Sequence, residues 1–208
     1  MPKTILLLGA NGRTGRRFLG RALDAGHTVT ALVRSADRLA DVRHARLTVA
    51  VGDACDSAEL ARRVPGHDVV VSTLGPRWPS RSAAAVYPQS AAAIVSAMER
   101  SGVRRLVVTS SALLFDDRTA LAKLLYWVVP QIVRSAAQME ETIRASDLDW
   151  TTVRTSFLND SDDLTHRLGV DALPPSPEAV SRAAVADYLM TQIEADVGHR
   201  RQVVGLCG

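Results

Sequence analysis

The chain has 208 residues, 47% hydrophobic and 23% charged, ordinary values for one globular domain with a core of two or three layers. Net charge is +3 and the pI about 9.2, but the basic residues are scattered and aromatics are 4% of the chain, which argues against a nucleic-acid surface. Cys55 and Cys207 lie far apart, no basic-then-apolar leader precedes the first strand, and the apolar stretch Leu121 to Val133 contains Lys123, Pro130 and Gln131; a reduced cytoplasmic protein with no membrane span is the expectation.

Ile5 to Leu8 is an apolar run with the length of a buried strand, and it leads directly into Gly9-Ala-Asn-Gly12-Arg-Thr-Gly15. Helical spacing follows from Arg16 to Ala25, with Phe18, Leu19, Ala22 and Leu23 on one face and Gly26 as the stop. His27 to Val33 reads as the second strand, ending at Arg34, and Ser35 begins a short helix. Leu47 to Val51 is the third strand, followed by Gly52-Asp53-Ala54. Asp56 with Glu59 marks the start of a helix over Ser57 to Val64. Asp68 to Gly75 is a fourth strand entering a Gly-Pro turn.

After the basic loop Pro76 to Ser82, a helix is predicted from Pro88 to Ser101 and a fifth strand from Arg105 to Ser111. Asp117 to Ser146 reads as helical but broken at Pro130. Leu148 to Arg154 is the sixth strand, Thr155 to Pro177 a loop, Glu178 to Glu194 a helix, and Arg201 to Leu206 a last short strand. Alternating strands and helices predict an α/β fold, a doubly wound parallel sheet between two helical layers in a single domain spanning 1–208. Ligands of such sheets bind at the C-terminal ends of the strands.

Strand, glycine turn and helix in that order form a dinucleotide phosphate site, because glycines let backbone N–H groups approach a pyrophosphate at the positive end of a helix. The spacing here is G-x-x-G-x-x-G. An NAD site places a carboxylate after the second strand to accept the ribose 2′-hydroxyl. Arg34 stands there instead, and guanidinium pairs with a 2′-phosphate through charge-assisted bonds, so NADPH is favoured over NADH. Arg13 is suited to add to the same pocket. Asp53, with Ala54, is suited to the adenine amino group, or is simply a turn residue. Thr73, Leu74 and Gly75 let backbone approach the cofactor ribose. Thr109, Ser110 and Ser111 end the fifth strand where a hydroxyl can donate to a substrate carbonyl during hydride transfer. Arg154 and Thr155 either wall the nicotinamide side or, in the case of Arg154, supply a structural ion pair. Trp78, Tyr126 and Trp127 are weighed as pocket walls against core packing. The five histidines are dispersed, and no metal site is expected.

Gly9 to Gly15, Ala31-Leu-Val-Arg34, Gly52-Asp53, Val107-Val-Thr-Ser-Ser111, Met139 to Arg154 and Val180 to Tyr188 together resemble the atypical short-chain dehydrogenases/reductases. Among these the chain is most similar to the NAD(P)H-binding, NmrA-like group that includes the biliverdin/flavin reductases. The resemblance implies a Rossmann-like fold. It implies phosphate contacts from Gly9, Asn11, Gly12, Arg13, Thr14 and Gly15, the 2′-phosphate on Arg34, adenine at Asp53, ribose and nicotinamide near Thr73 to Gly75, and Ser111 beside the nicotinamide as the candidate catalytic residue. The Tyr-x-x-x-Lys pair of most relatives, in which lysine lowers the tyrosine pKa, is missing: Tyr87 is followed by Pro-Gln-Ser-Ala and Tyr126 by Trp-Val-Val-Pro. Relatives with Arg-Pro after the sixth strand differ from Arg154-Thr155 here.

The reading is therefore an NADPH-dependent reductase that passes hydride directly to a small conjugated acceptor, flavin-, quinone- or tetrapyrrole-like, acting as a monomer or homodimer. Substrate-side walls are expected from 76–88, 112–135 and 155–178. The alternatives are a non-catalytic NADP(H)-binding regulator or redox sensor, and a pathway-specific reductase or isomerase.

Overall fold

The computed structural model describes residues 1–76, 80–115, 129–194 and 198–208. Strands β1 (Thr4–Leu8), β2 (Thr28–Val33), β3 (Leu47–Val51), β4 (Val69–Ser72), β5 (Arg105–Ser111) and β6 (Asp149–Thr155) lie parallel. Two further strands, β8 (Arg167–Val170) and β10 (Gln202–Cys207), complete an 8-stranded sheet in the order β3-β2-β1-β4-β5-β6-β10-β8. β7 (Leu158–Asn159) and β9 (Val180–Ser181) pair separately. The first six positions follow the order of a Rossmann sheet, with the switch between β1 and β4.

β1 is central, and each of its residues Ile5 to Leu8 is fully buried. Side chains alternate across a strand, so Ile5 and Leu7 join one core and Leu6 and Leu8 the other. The first core is closed by α1 (Arg13–Asp24) and α6 (Arg182–Glu194). The second is closed by α2 (Ser57–Arg63), α4 (Val86–Ser101) and α5 (Pro130–Arg144), and the short α3 (Arg81–Ala84) precedes α4. Covering both faces explains why the inner strands are continuous apolar runs rather than alternating ones.

Helix ends follow their local chemistry. The Asp56 side chain accepts the Ala58 and Glu59 N–H groups to start α2. The Glu59 carboxylate turns to Arg62 and to Arg63, at 2.8 Å from the latter. Pro130 is the first residue of α5, where a missing N–H costs nothing; the helical segment expected before it, 117–128, lies outside the described residues.

Three expectations are corrected. Thr155 to Pro177 is not all loop: it holds β7 and β8, and β8 runs antiparallel to β10. That edge is drawn close by glycines, since a Cβ on Gly205 would lie 2.2 Å from the Ala172 carbonyl oxygen and one on Gly169 2.6 Å from it. The last helix begins at Arg182 rather than Glu178, because Val180–Ser181 is used as β9 and the Ser181 hydroxyl accepts the Ala184 N–H at 2.8 Å. The helix expected from about Pro88 is α4, which starts at Val86 and is preceded by α3, itself beginning within the expected loop. No helix among the described residues is long and apolar enough to cross a membrane.

Candidate functional site

The C-terminal ends of the strands open into two adjoining clefts. The larger, about 460 Å³, is lined by Gly9, Asn11 and Gly12 after β1, by Arg34 after β2, and by Asp53, Ala54 and Cys55 after β3. The smaller, about 250 Å³, is lined by Thr14, Tyr87, Thr109, Ser110, Thr155 and Leu158 among others. Thr73, Leu74, Gly75 and Pro76, after β4, border both. One trough therefore crosses the switch between β1 and β4, from a basic end to a hydroxyl-rich end.

The glycine loop is shaped by contact as much as by flexibility. Gly9 has φ +84°, in the region that side chains rarely occupy. A Cβ on Gly15 would lie 2.2 Å from the Gly9 carbonyl oxygen and 2.7 Å from Thr73 Oγ1, so only glycine lets α1 pack this closely on the loop. Thr73 Oγ1 in turn donates to the Leu8 carbonyl at 3.2 Å, fastening the end of β4 to the end of β1. A Cβ on Gly12 would meet only the Gly9 carbonyl oxygen, at 3.1 Å. Gly12 caps α1 without any side-chain hydrogen bond, and the first turn has no acidic residue. The first-turn N–H groups and the helix dipole are thus available to an anion.

Arg34 is exposed and is the cationic side chain lining the larger cleft among the described residues. Asp53 lines the same cleft, but its Oδ1 accepts the Cys55 N–H at 2.9 Å. The turn reading and the cleft reading of Asp53 thus coexist. Burial, then the Asp53 charge, pushes the Cys55 thiol up to about 11. It stays protonated near neutral pH and is a poor nucleophile.

Four expected site residues do not line either cleft: Gly15, packed against the Gly9 carbonyl, and Arg13, Arg154 and Ser111. Arg13 forms an ion pair with Asp160, just beyond β7, instead of turning towards Arg34. Asp160 also pairs with Arg182 at 2.8 Å, so this segment ties α1 to α6 and carries Leu158 to the smaller cleft. Arg154 takes its ion-pair alternative: its Nε and Nη2 donate to Glu140 at 2.9 and 2.8 Å, and its guanidinium lies 4.5 Å from the Phe115 ring centroid. The Ser111 side chain accepts the Leu113 N–H at 3.3 Å to start a 3-10 turn, Ala112–Leu114. Thr109 and Ser110 line the smaller cleft instead. Trp78, Tyr126 and Trp127 lie outside the described residues.

Glu140 and Tyr87 are the residues that sequence reasoning missed. Glu140, 2% exposed, accepts Ser110 Oγ at 2.7 Å and Arg144 Nη2 at 3.1 Å besides Arg154. A lone glutamate in a helix gives no sign of this; only the juxtaposition of β5, β6 and α5 does. Tyr87 stands in the first turn of α4, 8% exposed, and borders the smaller cleft.

The family of NAD(P)H-binding proteins matches residues 9–196. The chain belongs to that family. A short-chain dehydrogenase/reductase from Veillonella parvula is 25% identical in its ethylated form, with a TM-score of 0.81 over 100% of this chain and 94% of that one. Its complex with NADP is 24% identical, with a TM-score of 0.79 over 100% and 95%. A candidate NADH-flavin reductase from Streptococcus pneumoniae shares the fold at 20% identity and a TM-score of 0.80, over 99% of each chain. An isoflavone reductase homolog from Zea mays is 37% identical over 79 residues, 34% of this chain and 26% of that protein. The chain spans 26% to 46% of the length of the curated relatives it matches. The uncapped α1 start and the glycine-only contact at Gly15 fit the phosphates of a dinucleotide such as this family binds.

Proposed function

We propose that the chain is an NADPH-dependent reductase that delivers hydride directly to a small conjugated acceptor, flavin-, quinone- or tetrapyrrole-like. The observation that carries this reading is the trough itself, with Arg34 at one end and a hydroxyl-lined cleft at the other whose described lining holds no lysine. The chain's lysines are Lys3, ahead of β1 at the opposite end of the sheet, and Lys123, outside the described residues.

In this reading the first-turn N–H groups of Arg13, Thr14 and Gly15 hold the pyrophosphate, and Arg34 holds the 2′-phosphate. Asp53 and Ala54 meet the adenine, and Thr73 to Gly75 the riboses. Bound there, the reduced nicotinamide supplies the hydride. The walls formed by Thr109, Ser110 and Thr155 orient the acceptor against it, and orientation is the main contribution asked of the protein. Conjugated acceptors take their proton from solvent, which removes the need for a lysine-activated tyrosine. The test is NADPH oxidation by the purified protein with FMN, riboflavin and quinones. Turnover with at least one supports the reading. Tight NADPH binding without turnover across the panel favours the regulator instead.

A further inference from the structure

Six hydroxyl side chains line the smaller cleft: Thr14, Thr73, Tyr87, Thr109, Ser110 and Thr155. Four of them donate within the protein. Thr73 Oγ1 donates to the Leu8 carbonyl at 3.2 Å, Thr109 Oγ1 to the Ser72 carbonyl at 3.5 Å, Ser110 Oγ to Glu140 at 2.7 Å and Thr155 Oγ1 to the Ser110 carbonyl at 3.5 Å. A hydroxyl has one proton to give, so these four are engaged. The hydroxyls of Thr14 and Tyr87 have no hydrogen-bond partner among the described residues. Thr14 belongs to the first turn of α1, on the phosphate side.

Tyr87 is different in kind. Its ring is packed under the trough, 8% exposed, and a Cβ on Gly75 would lie 3.4 Å from its hydroxyl oxygen. Gly75 borders both clefts, so the hydroxyl sits where they meet. A buried phenol usually finds a partner; here the partner's place faces the cleft.

We propose that Tyr87 donates the hydrogen bond that holds the carbonyl oxygen of a quinone-type acceptor in the smaller cleft. This rests on the reductase reading above. A carbonyl oxygen that gains electron density is stabilised by a donor already in place, and the hydroxyls of Thr109, Ser110 and Thr155, which line this cleft, already donate elsewhere. Burial first, and the Glu140 charge second, push the Tyr87 phenol up to about 12. A lysine would lower a tyrosine pKa, and the nearby carboxylate does the reverse. Tyr87 therefore keeps its proton at physiological pH and polarises the acceptor, while the reduced oxygen takes its proton from water.

The experiment compares the full chain with Tyr87→Phe, which removes one oxygen and leaves the ring that fills the site. Menadione binding to the NADP+-loaded protein should weaken about fivefold to tenfold, the size of one neutral hydrogen bond. The affinity for NADPH should stay within about twofold, and 2-methylnaphthalene, which has no carbonyl, should bind both proteins alike. Where menadione is turned over, the ratio of wild-type to variant rates should not change between about pH 6 and pH 9, because the phenol does not titrate there. Unchanged menadione binding in the variant, no menadione binding by either protein, or an equal loss of NADPH affinity overturns the proposal. Binding differences without turnover in the wild type would instead reject the reductase reading and leave Tyr87 as the carbonyl donor.

Discussion

Replacing Glu140 by alanine tests whether the buried polar cluster behind the smaller cleft holds β5, β6 and α5 together. The carboxylate is 2% exposed and accepts four hydrogen bonds, two from Arg154, one from Ser110 and one from Arg144. Arg154 is itself 9% exposed, so the substitution strands a buried guanidinium without its counter-ion. Removing one partner of such a pair costs about 3–5 kcal/mol, a fall in melting temperature of roughly 6–20 °C for a domain of this size. Arg144 is half exposed and pairs at i, i+4 spacing, so Arg144→Ala should cost well under about 1 kcal/mol. The paired change Glu140→Met with Arg154→Leu removes both charges and should recover most of the loss, because replacing a buried ion pair with apolar side chains is often neutral. Urea unfolding of wild type, Glu140→Met, Arg154→Leu and the paired variant gives the coupling directly. If Glu140→Ala costs less than about 1 kcal/mol, or if the paired change is as damaging as the sum of its parts, the assignment of a buried, mutually dependent pair is wrong.

Two further substitutions examine the loop and the far end of the sheet. Gly15→Ala should destabilise the fold by about 1–3 kcal/mol or more by forcing α1 off the Gly9 carbonyl, and should weaken NADPH binding more than tenfold by isothermal titration, roughly the loss of 1.4 kcal/mol. Gly20→Ala, whose Cβ meets nothing within 4 Å, should instead be neutral or stabilising by up to about 1 kcal/mol; equal effects at the two sites would remove the packing argument. Asp68 accepts the Thr4 N–H at 2.7 Å and Thr4 Oγ1 at 2.8 Å, and these bonds hold its pKa below the usual carboxylate range. A depressed folded-state pKa stabilises above the unfolded value, about 3.9, and the contribution is lost as pH falls through the folded one. Asp68→Asn should therefore lower the urea midpoint at neutral pH and converge with wild type in strong acid, whereas a constant offset at every pH would contradict the linkage.

What the sequence revealed and what it hid follow from the range of the interactions involved. The β1–loop–α1 unit and Arg34 are local: apolar run, glycines, helix start and the residue after β2 are adjacent in the chain, so they were legible. The end of β5 was legible only as a group. Which of Thr109, Ser110 and Ser111 faces the cleft depends on Glu140, 30 residues away, and on β6. Arg154 was undecided for the same reason, since its partner is brought by α5. Tyr87 carries no lysine-containing motif, and only its place at the start of the helix after the β4 turn puts it at the ligand end of the sheet. β8 was hidden in a proline-containing stretch because an antiparallel edge is defined by its pairing with β10, not by its own composition.

Comparing NADPH and NADH affinities of wild type and Arg34→Asp by titration puts the account to its most direct trial. Charge-assisted bonds to a 2′-phosphate are worth about 1.5–3 kcal/mol, so wild type should bind NADPH about 10- to 150-fold more tightly than NADH. Arg34→Asp should abolish or invert that preference while leaving NADH binding nearly unchanged. Equal weakening of both cofactors, or a wild type that does not distinguish them, would contradict the placement of the 2′-phosphate on Arg34 and the NADPH reading built on it.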